Sequence, residues 1–305
     1  MTLGLLCPGQ GAQAVGMGGA AVRRSAPARE IFERASETLG FDLLDLCSRG
    51  PAERLVRTDV CQPAILATSA AALAVAEEEG RVRWPEVGVA LGLSLGEYTA
   101  LYAAAVLSLE DAISLVRLRG EAMQQASDAA PSGMVSILGA ERADAEAICE
   151  AAAAEGGVCV VANLNAPGQV VVSGDVAALE RAERIAAERG FRRAVRLEVA
   201  GAFHSPLMEP ARARLEAAIA ARTFAPARVP VISNVDATPT RDPATLRRNL
   251  VRQLTSPVLF EASLRRAVGD SVTGFLELGP GRVLAGLAKK IDRRIPVESC
   301  EGGGT

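Results

Sequence analysis

The 305-residue chain has one histidine, two lysines and no cysteines spaced as C-x-x-C. Each scarcity excludes something. A zinc site would need cysteine or carboxylate partners gathered around His204, and no such ligand spacing occurs, so no metal is expected. The six cysteines (Cys7, Cys47, Cys61, Cys149, Cys159 and Cys300) are scattered, which points to reduced thiols in a cytoplasmic protein rather than a disulfide framework. The formal net charge of −3 argues against a general nucleic-acid binder, which would carry a basic surplus. No apolar run approaches the roughly 18 residues of a membrane helix, so no membrane partner is expected. The opening MTLGLLCPGQ lacks the basic flank of a signal peptide, and Pro8 and Gly9 cut it short, so it reads as a first buried strand. Lysine occurs only at Lys289 and Lys290; the arginine bias points to no mechanism.

What is present is a chain 49% hydrophobic and 23% charged, enough to bury a large core in one big domain or two smaller ones. Short β-rich runs alternate with long Ala/Glu/Arg helices, the pattern of an α/β protein. LGLLCP (3–8) reads as a strand, 27–40 as an amphipathic helix closed by a glycine, and 61–80 as a long buried helix. EVGVALGLS (86–94) reads as a strand, followed by helices over 96–108 and 109–127. Over roughly 134–199 the order becomes β-α-β-β-α-β, with a hairpin around Ala166-Pro167-Gly168, the ferredoxin-like pattern. It reads as a small domain (129–199) inserted between two parts of a larger one (1–128 and 200–305). Helix and strand then resume, with a helix over 205–222, strands over 229–235 and 271–280, and a helix from about Arg282 to Ile291. The tail EGGGT is expected to fray. A monomer is the default expectation.

Two segments carry chemistry. GLSLG (92–96) follows a buried strand and precedes a helix, the setting of a nucleophile elbow. Gly92 and Gly96 remove side chains that would collide at the turn, and the helix N-terminus directs N–H groups at a reacting carbonyl. The plain alternative is a tight strand-to-helix turn with an N-capping serine. A nucleophilic Ser94 needs a base. If that base is a histidine it is His204, in GAFHSPLM, a loop at the expected domain junction. The second segment is PGQGAQAVGMG (8–18). It fits a loose G-x-G-x-x-A dinucleotide fingerprint, but Pro8 breaks the strand–turn geometry and the acidic second strand is missing. It reads either as a loop lending an amide to an oxyanion hole beside Ser94 or as a glycine-rich connector.

PGQGAQ, GLSLGEYTAL, RLRGEAMQQA, VANLNAPGQVVVSG, GAFHSPLM and QLTSPV occur in this order along essentially the whole chain. Together they resemble the malonyl-CoA:acyl carrier protein transacylases of fatty-acid and polyketide synthesis. The resemblance implies an α/β-hydrolase-like large domain with a ferredoxin-like insert and the active site between them. It implies Ser94 as nucleophile and His204 as base, with the Gln253 backbone carbonyl, rather than an aspartate, orienting the imidazole. The oxyanion amides would be those of Gln10 and Leu95. Arg119 would bind the free carboxylate of malonyl, a task suited to a guanidinium fork that keeps its charge; by itself Arg119 reads as a helix-surface residue. Met123 would pack beside Arg119, and Phe203 would narrow the pocket against an α-methyl group. The family usually has histidine before the serine, where this chain has Leu93; a G-L-S-L-G-E variant is similar to some discrete acyltransferases that serve polyketide synthases in trans.

The implied reaction is ping-pong transfer of malonyl from malonyl-CoA to a phosphopantetheine thiol on an acyl carrier protein, with no cofactor of the enzyme's own. Arg247, Arg248 and Arg252, or Lys289 and Lys290, are the candidate basic groups for an acidic carrier. Two other classes compete: an acyl-thioester hydrolase editing carrier proteins, and a docking module without catalysis. The hydrolase has no use for a buried cation at Arg119, and the docking module has none for Ser94.

Overall fold

The computed structural model describes residues 2–191 and 193–301. Among these, ten strands form two sheets: β1 (Leu3–Cys7), β2 (Val87–Gly92), β3 (Ser132–Leu138), β4 (Cys159–Ala166), β5 (Gln169–Asp175), β6 (Ala194–Arg196), β7 (Val231–Ile232), β8 (Pro239–Thr240), β9 (Gly274–Leu278) and β10 (Val297–Cys300). The larger sheet runs β10-β9-β1-β2-β7-β8. Its first five strands are mutually parallel, and β8 turns back antiparallel at one edge. Helices cover both faces, so the central strands are buried throughout and read as continuous apolar runs such as LGLLC and VGVALG. The smaller sheet, β4-β5-β3-β6, is antiparallel. Two helices, Arg142–Ala153 and Val176–Glu188, pack on it around a separate apolar core that includes Val135, Ile137, Ile148 and Leu179. The protein is thus an α/β-hydrolase-like large domain carrying a ferredoxin-like small domain.

Local chemistry sets several boundaries. Ser25 Oγ caps the helix Ala26–Leu39 by accepting from the Ala28 amide, and Gly40 closes it in the left-handed region at φ 75°. The helix Gly96–Ala103 ends five residues before the expected 108. Ala105 turns left-handed (φ 60°), and the Val106 N–H reaches back to the Leu101 carbonyl, a closure that stops the helix. The strand expected over 229–235 shrinks to Val231–Ile232 because Asn234 gives its N–H to the Glu97 side chain instead of to a ladder. The last strand of the β-α-β-β-α-β order, expected to run to about 199, is likewise only Ala194–Arg196, and Arg192 lies outside the described residues. So is most of the tail, 302–305.

The helix Thr58–Glu78 corrects the reading of the apolar runs. By length and composition it could cross a membrane, yet 94% of its most apolar window is buried in the protein. Alanines along it allow close packing, and it forms the centre of the large core. Helices Pro243–Gln253 and Phe260–Gly269 were not expected from periodicity. The first has a clear start in retrospect: Asp242 caps it through the Ala244 and Thr245 amides, and Pro243 occupies the first turn. The insert is tied to the large domain by an isolated bridge between Asn163 and Val258, where the Leu164 N–H donates to the Val258 carbonyl and the Val258 N–H donates to the Ala162 carbonyl.

Candidate active site

Ser94 stands at the end of β2 in the left-handed region, φ 53°. Such a conformation in a non-glycine residue is strained by about 1–3 kcal/mol and needs close support. The support is visible. A Cβ at Gly92 would overlap the backbone of Gly96, and one at Gly96 would overlap the Cys7 carbonyl of β1. The turn is therefore packed backbone to backbone and excludes any side chain at either position. Asn234, at the end of β7, adds two more contacts: its Oδ1 accepts from the Ser94 N–H at 2.8 Å, and its Nδ2 donates to the Gly92 carbonyl at 2.7 Å.

His204 comes from the loop after the insert, also left-handed (φ 59°), and lies 110 positions from Ser94 in sequence. Its Nδ1 is 2.9 Å from the Gln253 carbonyl. A carbonyl can only accept, so Nδ1 carries the proton and Nε2 is left as an acceptor. Nε2 is 2.7 Å from Ser94 Oγ, so the serine hydroxyl donates to it. Burial pushes the imidazole pKa down to about 4, with the charge of Arg119 acting in the same direction. The ring is thus a neutral base throughout the physiological range.

The helix-surface reading of Arg119 fails: the side chain is 1% exposed. It reaches inward from the helix Leu109–Ala129 and is held by neutral acceptors. Nη1 donates to Gln62 Oε1 at 2.8 Å, and Nη2 donates to Ser94 Oγ at 3.0 Å and to Gln253 Oε1 at 3.2 Å. Its Nε has no partner, and among the described residues no carboxylate forms an ion pair with it. A buried cation without a counter-ion is costly, unless the missing anion is the ligand. Met123 lies one turn further along the same helix and touches Gln62 Nε2 through its sulfur at 3.5 Å.

The glycine loop reaches the same place. Gly9 packs so closely on the Leu93 carbonyl that a Cβ there would overlap it, which brings Gln10 beside the elbow. Among the described residues the amide N–H groups of Gln10 and Leu95 donate to no protein group. Phe203 is buried next to His204, and its carbonyl accepts from Ser173 Oγ of β5. The basic candidates are dispersed. Arg247 stacks on Phe224 and donates to the Arg222 carbonyl, Arg248 donates to Thr245 Oγ1, and Lys290 donates to Gln169 Oε1 of the insert. Lys289 lines a surface groove with Arg24, Arg282 and Arg293.

Four residues of this cluster have no counterpart in the sequence reading: Gln62, Glu97, Asn234 and the side chain of Gln253. Three left a trace. Gln62 and Glu97 are the polar members of otherwise apolar helix segments, CQPAIL and GEYTALYAAA. Asn234 ends a strand neighbouring β2 in the parallel sheet, the edge where ligands of such folds gather.

Residues 5–301 match the family model described as the acyl transferase domain. The chain is 43% identical over 293 residues to the malonyl CoA-acyl carrier protein transacylase of Bacillus subtilis, covering 96% of this chain and 91% of the relative. It is 41% identical to the enzyme of the same name from Salmonella typhimurium, covering 93% and 91%. Among solved structures, the malonyl CoA-acyl carrier protein transacylase of Coxiella burnetii superposes with a TM-score of 0.95 at 37% identity, covering 99% and 94% of the two chains. A malonyl-transacylase in complex with its type II PKS acyl-carrier protein superposes with a TM-score of 0.94 at 35% identity, covering 99% and 96%. These relatives are named for acyl transfer, not for thioester hydrolysis.

Proposed function

The chain belongs to the acyl transferase domain family, and from that premise we propose that it transfers malonyl from malonyl-CoA to the phosphopantetheine thiol of an acyl carrier protein through a malonyl ester on Ser94. The observation that carries this reading is Arg119, a buried guanidinium bonded to the nucleophile's own oxygen and, among the described residues, paired with no carboxylate. A substrate acyl group with a free carboxylate supplies the missing anion; a monocarboxylic acyl chain does not.

The reaction proceeds in two halves. Ser94 Oγ gives its proton to His204 Nε2 and attacks the thioester carbonyl carbon. The Gln253 carbonyl, hydrogen-bonded to Nδ1, stabilises the imidazolium that forms. Negative charge on the former carbonyl oxygen is met by the N–H groups of Gln10 and Leu95, and the dipole of the helix Gly96–Ala103 adds to their field. Collapse breaks the C–S bond, and the CoA sulfur leaves with the proton from His204. In the second half the carrier's thiol gives its proton to His204 and attacks the ester carbonyl. The Ser94–acyl bond then breaks, and Ser94 recovers its proton. Arg119 holds the malonyl carboxylate through both halves, with Met123 and Phe203 shaping the wall around the acyl group.

Donor and product are both thioesters, so the transfer as written consumes nothing beyond its two thiol carriers. The six free, buried cysteines fit a cytoplasmic setting, where thiols stay reduced. Incubation with malonyl-CoA, without carrier, tests the reading. A malonyl adduct on Ser94 is expected by intact mass and peptide mapping, and Ser94→Ala must abolish it; an adduct that survives in Ser94→Ala refutes the covalent scheme.

A further inference from the structure

Contacts that reach all three reacting groups converge on one side chain, Glu97, three residues after Ser94. It is fully buried in the first turn of Gly96–Ala103. Its Oε2 accepts from the Asn234 backbone N–H at 3.0 Å and from Gln253 Nε2 at 2.8 Å. The same Nε2 lies 2.9 Å from the Ser94 carbonyl and 3.3 Å from Asn234 Oδ1. At its other end Gln253 meets the substrate-facing groups: Oε1 accepts from Arg119 Nη2, and the backbone carbonyl accepts from His204 Nδ1.

A primary amide can sit either way round, and only one way serves here. Turned over, Gln253 would set its NH2 against a guanidinium that has donors only. Its oxygen would then face Glu97 Oε2, the Ser94 carbonyl and Asn234 Oδ1, all acceptors. The acceptors on the Glu97 side therefore dictate that oxygen is presented to Arg119. Oε2 already accepts two hydrogen bonds, so any proton on this buried acid sits on Oε1. Burial favours the protonated acid, and in either charge state Oε2 remains an acceptor.

We propose that Glu97 is a positioning residue for substrate selection: it orients the Gln253 amide, and the oriented amide holds Arg119 beside Ser94, where the guanidinium reads the malonyl carboxylate. The inference rests on the role given to Arg119 above. It differs from a merely structural role for a buried acid in one respect. Loss of a structural prop lowers turnover of every acyl-CoA alike, whereas loss of this relay falls on the substrate that needs Arg119.

The test compares kcat/KM for malonyl-CoA and acetyl-CoA in the full-length protein, its fold checked by thermal unfolding. Glu97→Met, similar in length and without an acceptor oxygen, is expected to lower the malonyl-to-acetyl ratio about tenfold or more, the scale of one charge-assisted hydrogen bond. Glu97→Gln can still accept through its amide oxygen from Asn234 and Gln253, and is expected to keep the ratio within about threefold of wild type. A folded Glu97→Met with the wild-type ratio overturns the proposal, and so does a Glu97→Gln as unselective as Glu97→Met. If Glu97→Met does not fold, Gln253→Leu decides: it keeps the carbonyl that holds His204 and removes only the amide. A wild-type ratio there refutes the relay, and a collapsed ratio supports it. Arg119→Ala separates the two layers. If it leaves the ratio unchanged, the reading of Arg119 itself fails; if it collapses the ratio while Glu97→Met does not, the relay alone fails.

Discussion

The large domain and the insert bury polar groups in opposite ways. In the large domain the interior holds Arg119, Glu97, His204, Gln62, Asn234 and Gln253, nearly all bonded to one another within reach of Ser94. Among the described residues of the insert the buried polar side chains are neutral (Ser136, Asn163, Asn165 and Ser173), and charges lie outside in helix-surface pairs such as Arg142–Glu146 and Arg184–Glu188. Buried charge is expensive and is kept where it is held by hydrogen bonds or does chemistry; Glu277, buried apart from this cluster, accepts from the Leu284 and Ala285 amides. The contrast agrees with a proposed chemistry carried by large-domain residues. Two strands of the insert reach the loop that carries His204: Ser132 Oγ accepts from the Ala202 amide, and Ser173 Oγ donates to the Phe203 carbonyl.

The sharpest way to break that contrast is Arg119→Ala. Removing one partner of a buried, desolvated charge pair costs about 3–5 kcal/mol, so kcat/KM for malonyl-CoA should fall by roughly 10²–10⁴-fold, while acetyl-CoA should lose less than about tenfold. The same variant reads the electrostatics of the base. His204 is held near a pKa of about 4, first by burial and then by the Arg119 charge. A general base works only when neutral, so the rate of acyl-enzyme formation should hold as pH drops through 6 and disappear as it drops through about 4. Without Arg119 the repulsion goes and burial stays, so the acid limb should move upward, toward but not to the ordinary histidine value. A limb that stays put would mean that Arg119 does not act on the imidazole.

The parts of this site that could be read from the chain are those fixed by local sterics. Gly92, Ser94 and Gly96 announce a crowded turn, and a lone histidine leaves no rival base. The hidden parts depend on contacts across long separations. Asn234 is 140 positions from the serine whose amide it holds, and the Gln253 side chain is 156 from Glu97. Arg119 looked like a surface arginine because its helix has charged neighbours at Arg117 and Glu121. That those two pair with each other on the outer face, while Arg119 turns inward, is decided by packing and leaves no periodic signal. The insert was legible almost whole, since a hairpin and two capped amphipathic helices are local features. The polar end of the large sheet was not, because its strands β7 and β8 are only two residues long.

Phe203 sharpens the comparison at a smaller scale. It sits between the loop braced by the insert and the large core, and its role is to exclude an α-methyl group. Discrimination of one methyl is worth about 1–3 kcal/mol. Phe203→Ala should therefore raise methylmalonyl-CoA loading relative to malonyl-CoA by roughly tenfold in a direct competition read by intact mass. An unchanged ratio would remove Phe203 from the selecting wall.

The smallest effect separates a wall from a brace. Ser173 is fully buried in β5, and its hydroxyl donates to the Phe203 carbonyl one residue before the base. Ser173→Ala leaves that carbonyl without this donor and creates almost no cavity, so stability should drop by about 1 kcal/mol in urea unfolding. If the insert only walls the site, kcat should not change beyond that. If it braces the histidine loop, His204 gains freedom against a serine 2.7 Å away, and acylation by malonyl-CoA and by acetyl-CoA should slow equally, by a few-fold, because the base serves both substrates while Arg119 is untouched. A loss confined to malonyl-CoA would place the coupling on the arginine side instead and break the division between the two domains.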